Sequence, residues 1–275
     1  MLEQLIYKNH MNEVFEFGKD GIFVDRNDLR DYEWSVEKKN NRISALKHTV
    51  RKKKLPVTII CPTEAQSIAA KNKLFEVVEK DVLAMKYGRV ILGDYHMECY
   101  VTKSAKSEYL TSGRWTKMTL TLTTDRPFWV KETTEYYSTI ANDATAQEFL
   151  DYSMDFPLDY FNDTAFKPVT NTGFVPSNFR LVIFGACVDP AVTIADHTYQ
   201  VFGEINSNER LTIDSSAKKI YLTTEDGTEI NKFNDRDRYS YVFEKIQTGQ
   251  STVSWSGDFA FELTILEERS EPKWT

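Results

Sequence analysis

The residues of this chain that could do chemistry are four histidines, three cysteines and a short series of aspartates. His10, His48, His96 and His197 have no paired spacing of the H-x-x-x-H kind that sets two imidazoles on one helix face for a metal. Each is read as a surface or satisfied structural histidine. Cys61, Cys99 and Cys187 are far apart and odd in number, and no C-x-x-C occurs, so neither a zinc knuckle nor a redox pair is supported. Cys61 and Cys99 fall on apolar strand faces, where a reduced cysteine acts as a small hydrophobe. Asp151, Asp155 and Asp159 recur every fourth position and could align carboxylates on a helix, but Pro157 interrupts them, and they read as linker acids. There is no G-x-S-x-G elbow, P-loop or glycine-rich dinucleotide turn. No catalytic, cofactor-binding or metal-binding residue is therefore assigned, no cofactor is expected, and the chain reads as a non-enzyme. A glycosidase would escape such a search, because it needs only two carboxylates and leaves no short motif.

The aromatic residues pose a second chemical question. Trp255, Tyr239, Tyr241 and Phe243, in a β-rich region, could stack on sugar rings. The competing account makes Tyr239, Tyr241 and Phe243 alternate residues of one strand that pack or meet a neighbour, as exposed aromatics more often do. The one basic run, Arg51-Lys52-Lys53-Lys54, reads as a solvated hairpin loop between two strands, or as a contact for an acidic neighbouring subunit.

With 34 basic and 41 acidic residues the formal charge is -7, which argues against long-range attraction to nucleic acid or an anionic membrane. No apolar stretch is long enough to span a bilayer. The opening Met1-Leu2-Glu3-Gln4 has no basic region followed by an apolar run, so no signal peptide is expected, and the unpaired cysteines fit folding in a reducing cytoplasm.

A chain of 275 residues exceeds one typical domain, and the patterning changes along it. Ile43 to Val50 and Leu55 to Cys61 read as a hairpin across the basic run, with Val57, Ile59 and Cys61 on one face. Pro62 stops the strand. Thr63 with Gln66 forms a capping box, and Ile68, Phe75, Val78 and Val82 predict an apolar helical stripe over Thr63 to Val82. After Gly88, Tyr95, Met97, Cys99 and Val101 face one way, and Met118, Leu120 and Leu122 alternate with threonines before Pro127. From Val130 to Phe166 periodicity is weak, marking a domain boundary. Beyond it, Lys219 to Thr224 and Thr228 to Phe233 join across Asp226-Gly227, and Phe259, Phe261, Leu263 and Ile265 line one face. The fold class is mostly β, α+β overall: a β-rich domain with one helix over residues 1–133, then a β-sandwich over residues 134–275.

Ordered segments in both halves resemble the distal tail protein family of siphophages. In the first half these are Leu29-Arg30-Asp31-Tyr32-Glu33-Trp34, Phe75 to Asp81, Gly88 to Leu92, Gly93 to Val101, and Thr123-Thr124-Asp125-Arg126-Pro127-Phe128-Trp129-Val130. In the second half they are Pro176 to Gly185, Leu211-Thr212-Ile213-Asp214-Ser215 and the closing Glu268-Arg269-Ser270-Glu271-Pro272-Lys273-Trp274.

The resemblance implies an N-terminal tail-tube-like ring domain and a C-terminal galectin-like β-sandwich. It implies a homo-oligomer, a hexameric ring at the virion tail tip, made in the bacterial host cytoplasm. The implied partners are the phage tail-tube protein above, the tail-associated lysin or tip protein below, and receptor-binding or baseplate parts on the sandwich; nucleic acid and membrane are not among them. Residues up to about Lys131 are expected to carry the ring contacts. The alternative function is a carbohydrate-binding module for host cell-wall saccharide. Glu271 to Trp274 is expected to fold back and pack on the sandwich or the interdomain seam, because a terminal tryptophan gains by leaving water.

Overall fold

The computed structural model describes residues 4–139 and 167–274. Asp151, Asp155 and Asp159 lie outside the described residues. The chain is mostly β, and it divides into two compact units: Met1–Lys131 with Glu268–Thr275, and Glu132–Glu267. The closing eight residues thus group with the first unit, whereas a reading of two consecutive segments keeps them with the second.

The first unit holds β1 (Leu5–Lys8), β2 (Val14–Glu16), β3 (Ile22–Val24), β4 (Ser35–Lys39), β5 (Arg42–Lys47), β6 (Arg51–Ile60), helix α1 (Glu64–Ala84), β7 (Gly88–Leu92), β8 (Tyr95–Ser112) and β9 (Trp115–Thr124), with the start of β10 (Trp129–Tyr137). β8 is the organising strand. Its first residues pair with β7, and from Tyr100 onward it pairs with β9. β7 leads on to β1 and β2, while β9 leads on to β6 and β3, all antiparallel. A register shift between Val101 and Lys103 lets one 18-residue strand serve both ladders, since an extra residue bends a strand. Tyr7, Phe15, Leu55, Val57, Ile59, Val90, Met97, Cys99, Met118, Leu120, Leu122 and Trp129 form one core with α1.

Thr63 caps α1 as its sequence requires: Thr63 Oγ1 accepts from the Gln66 backbone N–H at 3.3 Å, and the Thr63 N–H donates to Gln66 Oε1 at 3.2 Å. The buried stripe, however, runs through Ser67, Ala70, Leu74, Val77, Val78 and Asp81, and Ile68 is exposed. Of the expected stripe, Val78 is buried and Phe75 packs against the core, while a carboxylate that no count of apolar side chains includes, Asp81, holds the last buried turn. Asp81 is fully buried and accepts from the Tyr7 hydroxyl at 2.6 Å and from the His10 backbone N–H at 2.8 Å.

The expected pairing of Ile43 to Val50 with Leu55 to Cys61 does not form. β5 pairs with β4, and β6 pairs with β9 and β3. The basic run opens a ten-residue strand rather than forming a loop, and its faces alternate accordingly. Lys52 and Lys54 point to solvent, while Lys53 is buried. The Lys53 ammonium donates to the backbone carbonyls of Asp28, Leu29 and Asp31, so it ties down the loop after β3.

The second unit continues β10 and adds β11 (Lys167–Asn171), β12 (Asn178–Phe184), β13 (Cys187–Val188), β14 (Ala191–Ile194), β15 (His197–Gln200), β16 (Glu204–Ile205), β17 (Arg210–Asp214), β18 (Lys219–Thr223), β19 (Glu229–Asn231), β20 (Gly249–Trp255) and β21 (Phe261–Arg269). One sheet runs β19–β18–β17–β12–β21; the other runs β11–β20–β14–β15. Between them lie Phe179, Leu181, Ile183, Ile213, Leu263 and Ile265 from the first, and Val169, Val192, Ile194, Tyr199, Val253 and Trp255 from the second. This is a two-sheet sandwich with alternate residues inward. Gly227, with a positive φ of 84°, closes the Asp226-Gly227 turn, and the Asp226 carboxylate accepts the Thr228 N–H.

Candidate interaction surfaces

Among the described residues β4 and β5 pair only with each other. Asn40 and Asn41 both take positive φ, at 50° and 59°, which is the backbone of a tight two-residue hairpin turn. Two adjacent asparagines were the sequence signal for this hairpin. Val36 stands opposite Leu46, and Lys38 opposite Ile43, so Val36, Ile43 and Leu46 share one face. All three are exposed, Ile43 at 65%. Among the described residues nothing covers this apolar face, and a two-stranded hairpin by itself is marginal in water.

The root of the hairpin is fixed by aromatic packing and charge. The His48 ring lies 3.8 Å from Trp34 and 4.3 Å from Phe128, centroid to centroid. Neither His48 nitrogen has a hydrogen-bond partner among the described residues. Burial lowers the His48 pKa below its ordinary value; the Arg51 cation adds to this, and Glu268 partly opposes it. Arg51 in turn donates to the Glu33 carboxylate at 2.7 Å and to the Glu33 carbonyl at 3.0 Å.

The proposed sugar platform is not assembled. Trp255 is buried in the sandwich core and donates its indole N–H to the Phe259 carbonyl at 3.1 Å. Tyr239, Tyr241 and Phe243 lie in turns rather than along one strand. Phe243 is buried, whereas Tyr239 is fully exposed. Strand periodicity failed there because a short 3-10 turn at Phe233–Asp235 and the turns after it replace the ladder.

The C-terminal tail does fold back, but within the first unit rather than onto the sandwich. Arg30 donates to the Pro272 carbonyl at 2.8 Å and approaches Glu271 at 3.8 Å, and its guanidinium lies 3.9 Å from the Trp274 ring centroid. Trp274 nevertheless stays 74% exposed, so it rests on the cation rather than entering a core.

The histidines and cysteines stay apart. Among the described residues no group of three or more His, Cys, Asp or Glu side chains is placed to hold a metal ion. Cys61, Cys99 and Cys187 are free and buried, and burial pushes the Cys99 thiol up to about 12 and the Cys187 thiol up to about 11. No helix is long and apolar enough to cross a membrane among the described residues.

No protein-family model and no curated protein sequence matches the chain. Solved structures do. The SPP1 Dit protein, described as a paradigm of the hub adsorption apparatus in phages infecting Gram-positive bacteria, matches at a TM-score of 0.56 and 12% identity, covering 98% of this chain and 100% of that one. A chain of the phage P2 baseplate in its activated conformation with Ca matches at 0.62, again at 12% identity, covering 99% and 100%. The corresponding baseplate with Sr matches at 0.63 with the same identity and coverage. Over nearly its whole length, this chain shares its fold with phage Dit and baseplate proteins.

Proposed function

We infer that this chain is a structural subunit of a phage tail tip, a distal tail protein. Six copies close into a ring that joins the tail tube to the tip protein or lysin and to the receptor-binding apparatus. The observation that carries the reading is the likeness of fold to SPP1 Dit and the P2 baseplate chain along both units, with all of each neighbour covered. A partial likeness confined to one sandwich would fit many functions; a full-length one argues for the same kind of part.

Several features support the reading. The ring-forming share falls to the first unit, where a hairpin presents Val36, Ile43 and Leu46 to solvent. Such a face, docking on a different patch of the next copy, makes a head-to-tail contact, and rings grow from contacts of that type. The second unit is galectin-like and offers attachment points for receptor-binding or baseplate parts. The subunit performs no catalysis, resides at the virion tail tip and is made in the host cytoplasm.

Light scattering of the purified full chain, with negative-stain electron microscopy, tests the proposal. Six-fold rings are expected, alone or on addition of the tail-tube protein. A strict monomer under both conditions would overturn it.

A further inference from the structure

The β4–β5 hairpin leaves the first unit through two adjoining chain ends, and a histidine sits between them. Trp34 directly precedes β4, His48 directly follows β5, and Phe128 lies in the loop between β9 and β10 of the same unit. With the His48 ring 3.8 Å from Trp34 and 4.3 Å from Phe128, one imidazole joins both ends of the hairpin to the body of the unit. Two further contacts lie at this root. Ser35 and Thr49 approach through their hydroxyls at 3.3 Å, which ties the hairpin ends to each other. Arg51, at the start of β6, donates to the Glu33 carboxylate and carbonyl, which holds the chain only as far as the residue before Trp34.

The imidazole is placed to stay neutral. Both its nitrogens are shut off from solvent, and neither has a hydrogen-bond partner among the described residues. An imidazolium needs two acceptors, and its ring neighbours offer none, because an indole is a donor only and a phenyl ring has no polar atom. Ring faces attract a cation, but that gain does not replace two hydrogen bonds and the lost hydration of the charge. The charged groups that act on His48 are Arg51 from β6 and Glu268 from the C-terminal tail, and Glu33 is paired to Arg51 at 2.7 Å. Burial is the main cause that lowers the His48 pKa; Arg51 adds to it, and Glu268 partly opposes it. A proton therefore favours a ring that has left the stack and reached water.

We propose that the Trp34–His48–Phe128 stack is a pH-sensitive latch: in mild acid His48 takes up a proton, leaves the stack and frees the hairpin, while the rest of the unit stays folded. The sign follows from linkage. The docked pKa lies below the ordinary value of about 6.5 and the released one near it, so docking is intact above about 6.5 and is lost progressively as pH falls below it. The Arg51–Glu33 pair then serves as the pivot. The freed arm carries Val36, Ile43 and Leu46 with it, so acid widens the reach of that exposed apolar face. The latch acts within one copy and does not rest on the ring reading.

Single-molecule energy transfer on the full chain, at a dilution where each copy is read alone, tests it. Donor and acceptor dyes go on K39C in the hairpin and E76C on α1, both exposed positions, while the native cysteines are buried. Docked and released hairpins are expected as two populations. Their ratio should shift toward release by up to about tenfold between about pH 7.5 and 5.5, the factor for a histidine of pKa about 6.5 that titrates freely only when released. H48F keeps a ring but cannot titrate, and should show the same ratio at both pH values; H48L takes its place if that variant does not fold. The near-ultraviolet circular dichroism of the wild type should not change over this range. An unchanged ratio in the wild type, or an equal shift in the non-titrating variant, overturns the latch. Loss of the near-ultraviolet signal at the lower pH also overturns it, because the release would then be global unfolding.

Discussion

The Tyr7 hydroxyl donates to the Asp81 carboxylate at 2.6 Å, joining β1 to the last buried turn of α1 inside the first core. Burial is the main cause that raises the Tyr7 pKa, with Cys99 and the bond to Asp81 adding to it, so the phenol stays a neutral donor. His10 adds its backbone N–H to the same carboxylate, and its Nδ1 lies 2.6 Å from Asp81 Oδ1. A Cβ at Gly88 would stand 2.2 Å from both Asp81 Oδ2 and the Tyr7 hydroxyl, which accounts for glycine at that position.

Asp81→Ala leaves the Tyr7 hydroxyl and the His10 N–H without their acceptor in a dry site. A loss of about 3 kcal/mol is expected, read as a lower urea midpoint. Gly88→Ala should cost about 1–3 kcal/mol through overpacking at the same place. Midpoints within error of wild type for both would show the network contributes nothing.

Three adjacent lysines are expected to differ sharply. Lys53→Met removes three donors to backbone carbonyls of the loop over β6 and should cost about 2 kcal/mol. Lys52→Met and Lys54→Met, on the solvent face, should stay within about 0.5 kcal/mol of wild type. Chemical denaturation of the three variants side by side checks this, and equal effects would contradict the assigned faces.

The His48 stack makes stability depend on pH. Its folded pKa lies below the unfolded value of about 6.5, so the unfolded chain takes up the proton first. The sign follows from linkage: stability is intact above about 6.5 and declines as pH falls below it. His48→Phe keeps an aromatic ring between Trp34 and Phe128 but cannot titrate. The difference in denaturation midpoint between pH 7.5 and 5.5 should therefore be smaller in that variant, the pH values being set on either side of roughly 6.5. Parallel midpoints in the two proteins would remove His48 as the cause.

At the tail, the exposed Trp274 ring limits what can be lost. Trp274→Ala is expected to cost about 0.5–1 kcal/mol, the scale of an exposed cation–π contact. Arg30→Ala should cost more, because it also removes the donor to the Pro272 carbonyl. Melting curves that rank the two in the reverse order would show that Trp274 contributes the larger contact.

The hairpin is expected to matter for assembly and not for folding. V36S/I43S/L46S changes only exposed side chains, so its melting temperature should match wild type, while rings seen by electron microscopy should disappear. Rings that persist would move the ring contact to another surface.

Much of the architecture was legible residue by residue. The alternation of Met118, Leu120 and Leu122 with threonines, the Thr63–Gln66 capping box and the Asp226-Gly227 turn each depend on a few neighbouring residues, and each forms where the sequence puts it. The partner of a strand does not have that property. β5 is the nearest candidate in the sequence, yet β6 pairs with β9 and β3, and Leu55, Val57 and Ile59 enter a core built from residues far along the chain. The same non-local choice put Lys53 inside, Lys52 and Lys54 outside, and left Val36, Ile43 and Leu46 of the β4–β5 hairpin exposed among the described residues. Tertiary structure alone also decided that Trp255 belongs to the sandwich interior and that the tail meets Arg30. Local preferences set the period of each element, but burial is settled by contacts between residues far apart in the chain, which no short window of sequence contains.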